Sequence, residues 1–433
     1  MKREHYDLVI TDVRRILMPA DIDKLCCIAV RDGRIAAILP DGAEDFTADR
    51  VISGGGRYII PGLIDLHVHF REPGFEYKED IASGSKAAAA GGVTSVFTMP
   101  NTKPVCDSKE VLDYIYGKAA DASCRVYQVA AITKGMASEE ITDLAALHAA
   151  GAAAFSDDGK PVMTAKLLRD AMKIAAEKDY LIMSHCEDMS LAAGGAINEG
   201  KVSRMLGLGG ISNLSEDLAI ERDIMVAEET GCRLHICHVS TKGGCEVIRR
   251  AKARGVRVTA ETCPHYFMLT DEDVIFYGAN AKMNPPLRTA EDVKAIIEAL
   301  QDGTLDCIST DHAPHSAEEK SGDLSKALNG IIGLQTSFIA AYTALVVPGH
   351  ISLAKLLTLM AANPAQITGL DREGLGAIEV GAPADFAVVT LGCENTVTRE
   401  VLAGKSTNTP FAGRTFAAKV DATFVGGKQT FGN

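Results

Sequence analysis

Between residues 63 and 345 the chain alternates short apolar, β-branched runs with stretches of helical periodicity, eight times over. That alternation is the pattern of βαβ units and a parallel sheet. The strand candidates are residues 63–69, 94–99, 125–131, 152–156, 181–184, 233–239, 257–261 and 305–310. Helical stretches between them include residues 81–90, 166–177, 218–229 and 290–300, and residues 331–345 follow the last strand. Eight such units predict an α/β fold that closes as a (β/α)8 barrel of the TIM type, more than an open sheet.

The two ends have a different texture. Short β-like runs at residues 6–10, 25–30, 34–39 and 57–60 are punctuated by Asp32-Gly33 and Gly54-Gly55-Gly56, and the pattern returns at residues 386–390 and 418–425. It predicts a small β domain from residues 1–60 plus 377–433, flanking a barrel over residues 61–376. At 433 residues with 47% hydrophobic and 23% charged side chains, the chain can bury a large core.

Composition also narrows the partners. The formal charge of -13, without a block of Lys or Arg, disfavours nucleic acid and anionic membrane. It does not exclude a small acid as substrate, because screening over about 8 Å lets the local site charge decide. Eleven cysteines without a C-x-x-C pair read as reduced thiols. The start Met1-Lys2-Arg3-Glu4 leads into a short alternating strand with no apolar signal core, and no run of 18 apolar residues follows, so a cytoplasmic protein is expected.

Histidines and aspartates fall at the C-terminal ends of the predicted strands, the barrel face on which active sites are built. His67 and His69 close the first, Asp157 and Asp158 follow the fourth, His185 the fifth, His238 the sixth and Asp311 the eighth. In a strand, His-x-His points both imidazoles to one side. Any one of these residues, taken singly, is more often structural. Asp158 within Ser156-Asp157-Asp158-Gly159 would alone be a turn or cap, His235 faces away from His238, and His5, His148 and His350 read as surface residues. The joint placement of His67, His69, Asp158, His185, His238 and Asp311 on separate strand ends points to metal. Four histidines and two aspartates exceed the needs of one tetrahedral zinc, so two Zn2+ ions per subunit are expected. Such a centre keeps a net positive charge that attracts an acid, and it activates water.

The motifs around these residues resemble the dihydroorotase family. Asp65-Leu66-His67-Val68-His69-Phe70-Arg71-Glu72-Pro73-Gly74 is similar to its signature at the first metal ligands, and Thr310-Asp311-His312-Ala313-Pro314-His315, with Lys320 beyond, resembles its second. Met99-Pro100-Asn101-Thr102, Cys263-Pro264-His265-Tyr266, Asn284-Pro285-Pro286-Leu287-Arg288 and Gly381-Ala382-Pro383-Ala384-Asp385-Phe386 are similar to further family blocks. The resemblance implies reversible hydrolysis of (S)-dihydroorotate to N-carbamoyl-L-aspartate in de novo pyrimidine biosynthesis. By it, Asp311 is the proton shuttle, Arg71, Asn101 and His315 bind the substrate carboxylate beside His69, and Asn284 contacts the ring.

Many relatives bridge their metals with a carboxylated lysine. Here Ser156-Asp157-Asp158-Gly159-Lys160 resembles the branch that uses Asp, which makes Asp158 the bridge and Lys160 the outsider. The loop of residues 316–330 ends Ala327-Leu328-Asn329-Gly330, where relatives often carry a Phe or a Pro-containing sequence. Hydantoinase, dihydropyrimidinase and allantoinase chemistry stay open as alternatives, as does a catalytically silent scaffold. The resemblance also leaves open a homo-oligomer and an aspartate transcarbamoylase partner.

Overall fold

The computed structural model describes residues 3–18, 20 and 22–432. Met1 and Lys2, the first residues of the start described above, lie outside them. The chain opens with β1 (Glu4–Leu17), β2 (Ile22–Arg31), β3 (Arg34–Pro40), β4 (Phe46–Ser53) and β5 (Tyr58–Pro61). It then builds the barrel with β6 (Leu63–Val68), β7 (Val93–Thr98), β8 (Arg125–Ala130), β9 (Ala154–Phe155) and β10 (Leu181–Ser184). After a short parallel pair, β11 (Ile197–Asn198) and β12 (Gly210–Ile211), come β13 (Arg233–Ile236), β14 (Val258–Thr262) and β15 (Cys307–Ile308). The chain ends on β16 (Phe386–Thr396), β17 (Thr415–Val425) and β18 (Lys428–Phe431).

Each of the eight strands expected for the barrel is present, in the order β15-β14-β13-β10-β9-β8-β7-β6. The ring closes through the segment after β15: Val68 bridges His312, and the His69 N–H donates to the His312 carbonyl at 2.8 Å. Closure leaves no exposed edge. Inside, Ile64, Leu66, Phe97 and Met183 share one core cluster with Ile367 and Leu370. Helices that follow the strands, such as Ile81–Ala90 and Ala290–Asp302, bury their apolar faces outside it.

The second large sheet takes strands from both chain ends, in the order β18-β17-β16-β5-β1-β2-β3 with β4 also on β1. β1 changes partner midway: its first half pairs with β4, and Arg14 and Arg15 pair with β5. Between the halves the ladder shifts at Ile10/Val13, where Asp12 adopts φ 53°. β16 joins the sheet to the barrel, since Ala387 and Val389 belong to the large barrel core while Phe386 and Val388 face the sheet's own core.

Besides the short β11–β12 pair, three features depart from the sequence reading. β4 and β18 were not anticipated: both are sheet-edge strands, and only Phe46, Ala48 and Ile52 in the first and Phe431 in the second pack against a core. The helix expected over residues 331–345 begins later, with a 3-10 turn at Leu334–Thr336. Ile331 instead pairs with His312, and Gly333 breaks the helical run. All eleven cysteines are free. No helix among the described residues is long and apolar enough to cross a membrane.

The buried Asp385 ties sheet to barrel: its carboxylate accepts from Arg125 Nε at 2.7 Å and Nη2 at 3.1 Å, and from the Gly426 N–H at 2.7 Å. Asp385→Ala strands that N–H and uncouples the guanidinium, a loss of about 2 kcal/mol. Chemical denaturation of the variant is expected to show this loss while its bound metal stays at the parental level. An unchanged midpoint would show that the contact contributes nothing.

Candidate metal centre

The site lies where the strands end. His67 is the fifth residue of β6 and His69 follows its end; Asp158 follows β9, His185 follows β10, His238 lies two residues past β13, and Asp311 follows β15. All six are buried. Three of the residues that form the mouth hold a left-handed backbone, Arg71 at φ 63°, His238 at 38° and Asp311 at 48°. Such conformations cost of order 1 kcal/mol or more and persist where the surrounding fold over-determines them.

Asp158 stands at the middle. Its Oδ2 is 3.2 Å from His67 Nε2 and 3.5 Å from His69 Nε2, and its Oδ1 is 3.4 Å from His238 Nε2 and 3.7 Å from His185 Nδ1. Asp311 Oδ1 completes the first group, 3.1 Å from His69 Nε2 and 3.7 Å from His67 Nε2. His185 Nδ1 and His238 Nε2 are 2.9 Å apart. Burial opposes ionisation of Asp158, yet the charge of His67 and the close approach of the His238 and His67 imidazoles hold its carboxyl well below the usual range.

This arrangement passes a test of fit for metal. His67 Nε2 and Asp158 Oδ1 are buried without a hydrogen-bond partner, which is costly unless a cation takes them. The donors separate into two clusters, His67–His69–Asp311 and Asp158–His185–His238, and one oxygen of Asp158 faces each. Imidazole and carboxylate are the donor types that zinc takes. Cys237 lies within reach of His67 and Asp158, but burial pushes its thiol up to about 12.

The far sides of the imidazoles are also committed. His67 Nδ1 is 2.8 Å from Glu261 Oε1 on β14, His69 Nδ1 is 2.9 Å from Asn101 Oδ1, and His185 Nε2 is 3.4 Å from Glu187 Oε2. Such partners fix tautomer and ring orientation. Glu261 further accepts from Ser309 Oγ and faces His235 Nε2 at 3.3 Å. Burial opposes its ionisation, but bonds from His235 and His67 keep its carboxyl far below the usual range. His235 is thus structural, as expected, although it braces a metal-facing pair.

The ligand atoms open into a cavity of ≈ 230 Å³ lined also by Arg71, Asn101, Asn284, His315 and the stretch Leu328, Asn329 and Gly330. Arg71 is half-buried, and its Nε donates to the Pro314 carbonyl at 3.2 Å. Arg71 takes no part in a salt bridge with the neighbouring Glu72 or Glu76. Glu72 accepts from the Ile81 N–H and Tyr114, Glu76 accepts from the Gly74 N–H, and no carboxylate of the described residues lies within ion-pair distance of Arg71. Burial lowers the Arg71 guanidinium to about 10, so it stays charged at neutral pH. Burial, Arg71 and Lys78 together push His315 down to about 3, leaving it neutral, with Nε2 at 2.7 Å from the Asn329 carbonyl. Asn284 commits its amide nitrogen to both oxygens of Glu187 at 3.1 Å, which leaves Oδ1 as an acceptor.

Other candidates fall outside the site. Lys160 is exposed and does not line the cavity. Asp157 accepts the Ile132 and Thr133 N–H groups at 2.8 and 3.0 Å, a structural role. Sequence reasoning missed Glu261 and Glu187. Glu261 ends a predicted strand and could have been found by the same strand-end rule applied to glutamate; Glu187 carries no such signal.

If Glu261 orients His67, Glu261→Gln should weaken metal retention about 10- to 100-fold. Metal content after dialysis against a graded chelator series reads this directly, and retention equal to the parental protein would leave Glu261 with a packing role only.

A family model described as dihydro-orotase-like matches residues 56–244. Among curated relatives, a dihydroorotase from Geobacter metallireducens is 48% identical over 419 residues, covering 96% of this chain and 98% of its own. One from Trichlorobacter lovleyi is 46% identical over 419 residues, covering 96% and 97%. The fold is similar to an L-hydantoinase from Arthrobacter aurescens, at TM-score 0.88 and 26% identity over 99% of both chains. It is also similar to a dihydropyrimidinase from Brevibacillus agri, at TM-score 0.84 and 22% identity over 98% of this chain and 95% of that one. With near-half identity sustained from end to end and a metal-binding cluster at the barrel mouth, this chain belongs to the dihydroorotase family of the amidohydrolase superfamily.

Proposed function

We propose that the cavity opens and closes the ring amide of (S)-dihydroorotate, with N-carbamoyl-L-aspartate as the other partner of the equilibrium, in the cytosol and in de novo pyrimidine synthesis. The observation that carries this reading is Arg71, a charged guanidinium without a carboxylate partner in the wall of a cavity that also holds the metal-binding cluster. A half-buried cation with no counter-ion among the described residues calls for an anionic ligand, and dihydroorotate brings a carboxylate that neutral cyclic amides lack.

In this reading one Zn2+ is held by His67, His69, Asp311 and Asp158, and a second by His185, His238 and Asp158. When bound, the ions supply Lewis acidity for water and for the ring carbonyl. Asp311, in contact with His69, takes the proton of the attacking water and delivers it to the leaving ring nitrogen. Arg71 presents its planar fork to the carboxylate. Asn101 turns Oδ1 to His69 and so keeps its amide N–H groups for the same carboxylate. His315 walls that subsite, with Nε2 at 3.5 Å from Arg71 Nη2. Asn284, oriented by Glu187, offers Oδ1 to a ring N–H. The convergence of all six ligand side chains argues against a silent scaffold.

A turnover panel of dihydroorotate, carbamoyl aspartate, dihydrouracil, hydantoin and allantoin tests the assignment. The protein is expected to act on the first two and to show little activity on the neutral rings, which leave Arg71 unpaired. Arg71→Met should lower kcat/KM for dihydroorotate at least about 100-fold with metal content near normal. Comparable efficiency on dihydroorotate and dihydrouracil would favour a hydantoinase-like enzyme. Asp311→Asn, similar in shape, should lower turnover about 100-fold or more while substrate binding survives better. Parental turnover in that variant would remove Asp311 as the proton shuttle.

A further inference from the structure

Lys320 belongs to the second signature motif, yet it takes no part in the site described above. It lies in the segment of residues 316–330, which leaves the Asp311 end of the barrel and returns with Leu328, Asn329 and Gly330 in the cavity wall. Lys320 Nζ donates to the carbonyls of Lys282 at 3.0 Å, Leu328 at 2.8 Å and Gly330 at 2.8 Å. Lys282 Nζ donates to the carbonyls of Leu324 at 2.8 Å, Ser325 at 3.2 Å and Ala327 at 2.7 Å. Both side chains are buried, and among the described residues no carboxylate lies within ion-pair distance of either.

An ammonium has three donors. Here all three of each go to backbone oxygens, and five of the six acceptors belong to this one segment. Burial lowers the Lys320 ammonium to about 7 and lowers that of Lys282 as well, and the hydrogen bonds stand in for the water each side chain has lost, so the two lysines hold the segment in one conformation. The hold is directional. The carbonyls of Leu328 and Gly330 turn to Lys320, and the one between them, Asn329, turns to His315 Nε2 at 2.7 Å. Gly330 adopts φ 130°, and a Cβ there would stand 2.6 Å from Ala313 Cβ, so the segment has little room to shift. On the other edge of its ring, His315 Nδ1 meets Lys78 Nζ at 3.4 Å. The chain of contacts runs from Lys320 to the Leu328 and Gly330 carbonyls, and from the Asn329 held between them through its carbonyl to His315 and the Arg71 fork.

We propose that Lys320 and Lys282 are positioning residues that clamp Leu328, Asn329 and Gly330 as the wall of the carboxylate subsite and, through the Asn329 carbonyl, set His315 against Arg71. The proposal rests on the reading of Arg71 as the carboxylate donor. It assigns the two lysines to substrate affinity, not to the chemical step.

The test compares Lys320→Met, Lys320→Arg and the parental protein by steady-state kinetics, metal analysis and hydrogen exchange. Lys320→Met is expected to raise KM for both dihydroorotate and carbamoyl aspartate about tenfold or more, with kcat within about threefold and metal content unchanged. Lys320→Arg, which keeps a cation with several donors, should recover part of the KM. Without any ligand, amides of residues 324–330 should exchange faster in Lys320→Met. An unchanged KM overturns the proposal, as does a loss confined to kcat or to metal. Where Lys320→Met does not fold, Lys282→Met serves, with the same KM change at smaller size expected and an unchanged KM again overturning the clamp. Parental turnover of dihydroorotate is measured first. Its absence would remove the functional reading, whereas the exchange signature of the clamp needs no substrate.

Discussion

Everything at the barrel mouth depends on one buried carboxylate, Asp158, placed so that each of its oxygens faces a different pair of imidazoles. A charge so deep is unfavourable unless it is paired. The four histidines that pair it come from three strands, β6, β10 and β13, so the charge is fully paired once the ring of strands has closed. The closing contact, the His69 N–H on the His312 carbonyl, lies beside two of the ligands. Barrel closure and assembly of the centre are therefore one event seen from two sides, and the left-handed backbones at His238 and Asp311 are held by the same closure.

Much of this was legible in the sequence, for a definite reason. Period-two and period-3.6 patterns are local, so all eight barrel strands could be read from apolar runs, and strand ends mark the functional face of such a barrel. His67, His69, Asp158, His185, His238 and Asp311 each occupy a strand end, and the structure brings them together. What escaped was set by tertiary contact. Glu261 gains its part from His67, 194 residues away, and Glu187 from His185 and Asn284. The late start of the helix after Gly333 follows from the pairing of Ile331 with His312, a contact across the barrel seam. Strands β4 and β18 draw their stability from their neighbours in the sheet and leave little mark on their own residues.

The sheet built from both chain ends has its own logic. β16 gives one face to the barrel's outer core and the other to the sheet, so the two layers share a strand instead of meeting across a loose linker. Asp385 sits at the start of that strand and reaches both Arg125 on β8 and the turn before β18. First and last segments of the chain are thereby fastened to the middle, on which the functional residues lie.

By the family resemblance, Asp158 takes in the proposed centre the place that a lysine modified by carbon dioxide fills in other relatives. A carbamate of that kind must form after folding, from dissolved gas, and it is lost again in acid. The carboxylate of Asp158 is part of the polypeptide as synthesised, while the neighbouring Lys160 points to solvent. In the proposed centre, maturation then answers to the supply of metal alone: neither bicarbonate nor a carboxylation step is needed before the two ions can share a ligand.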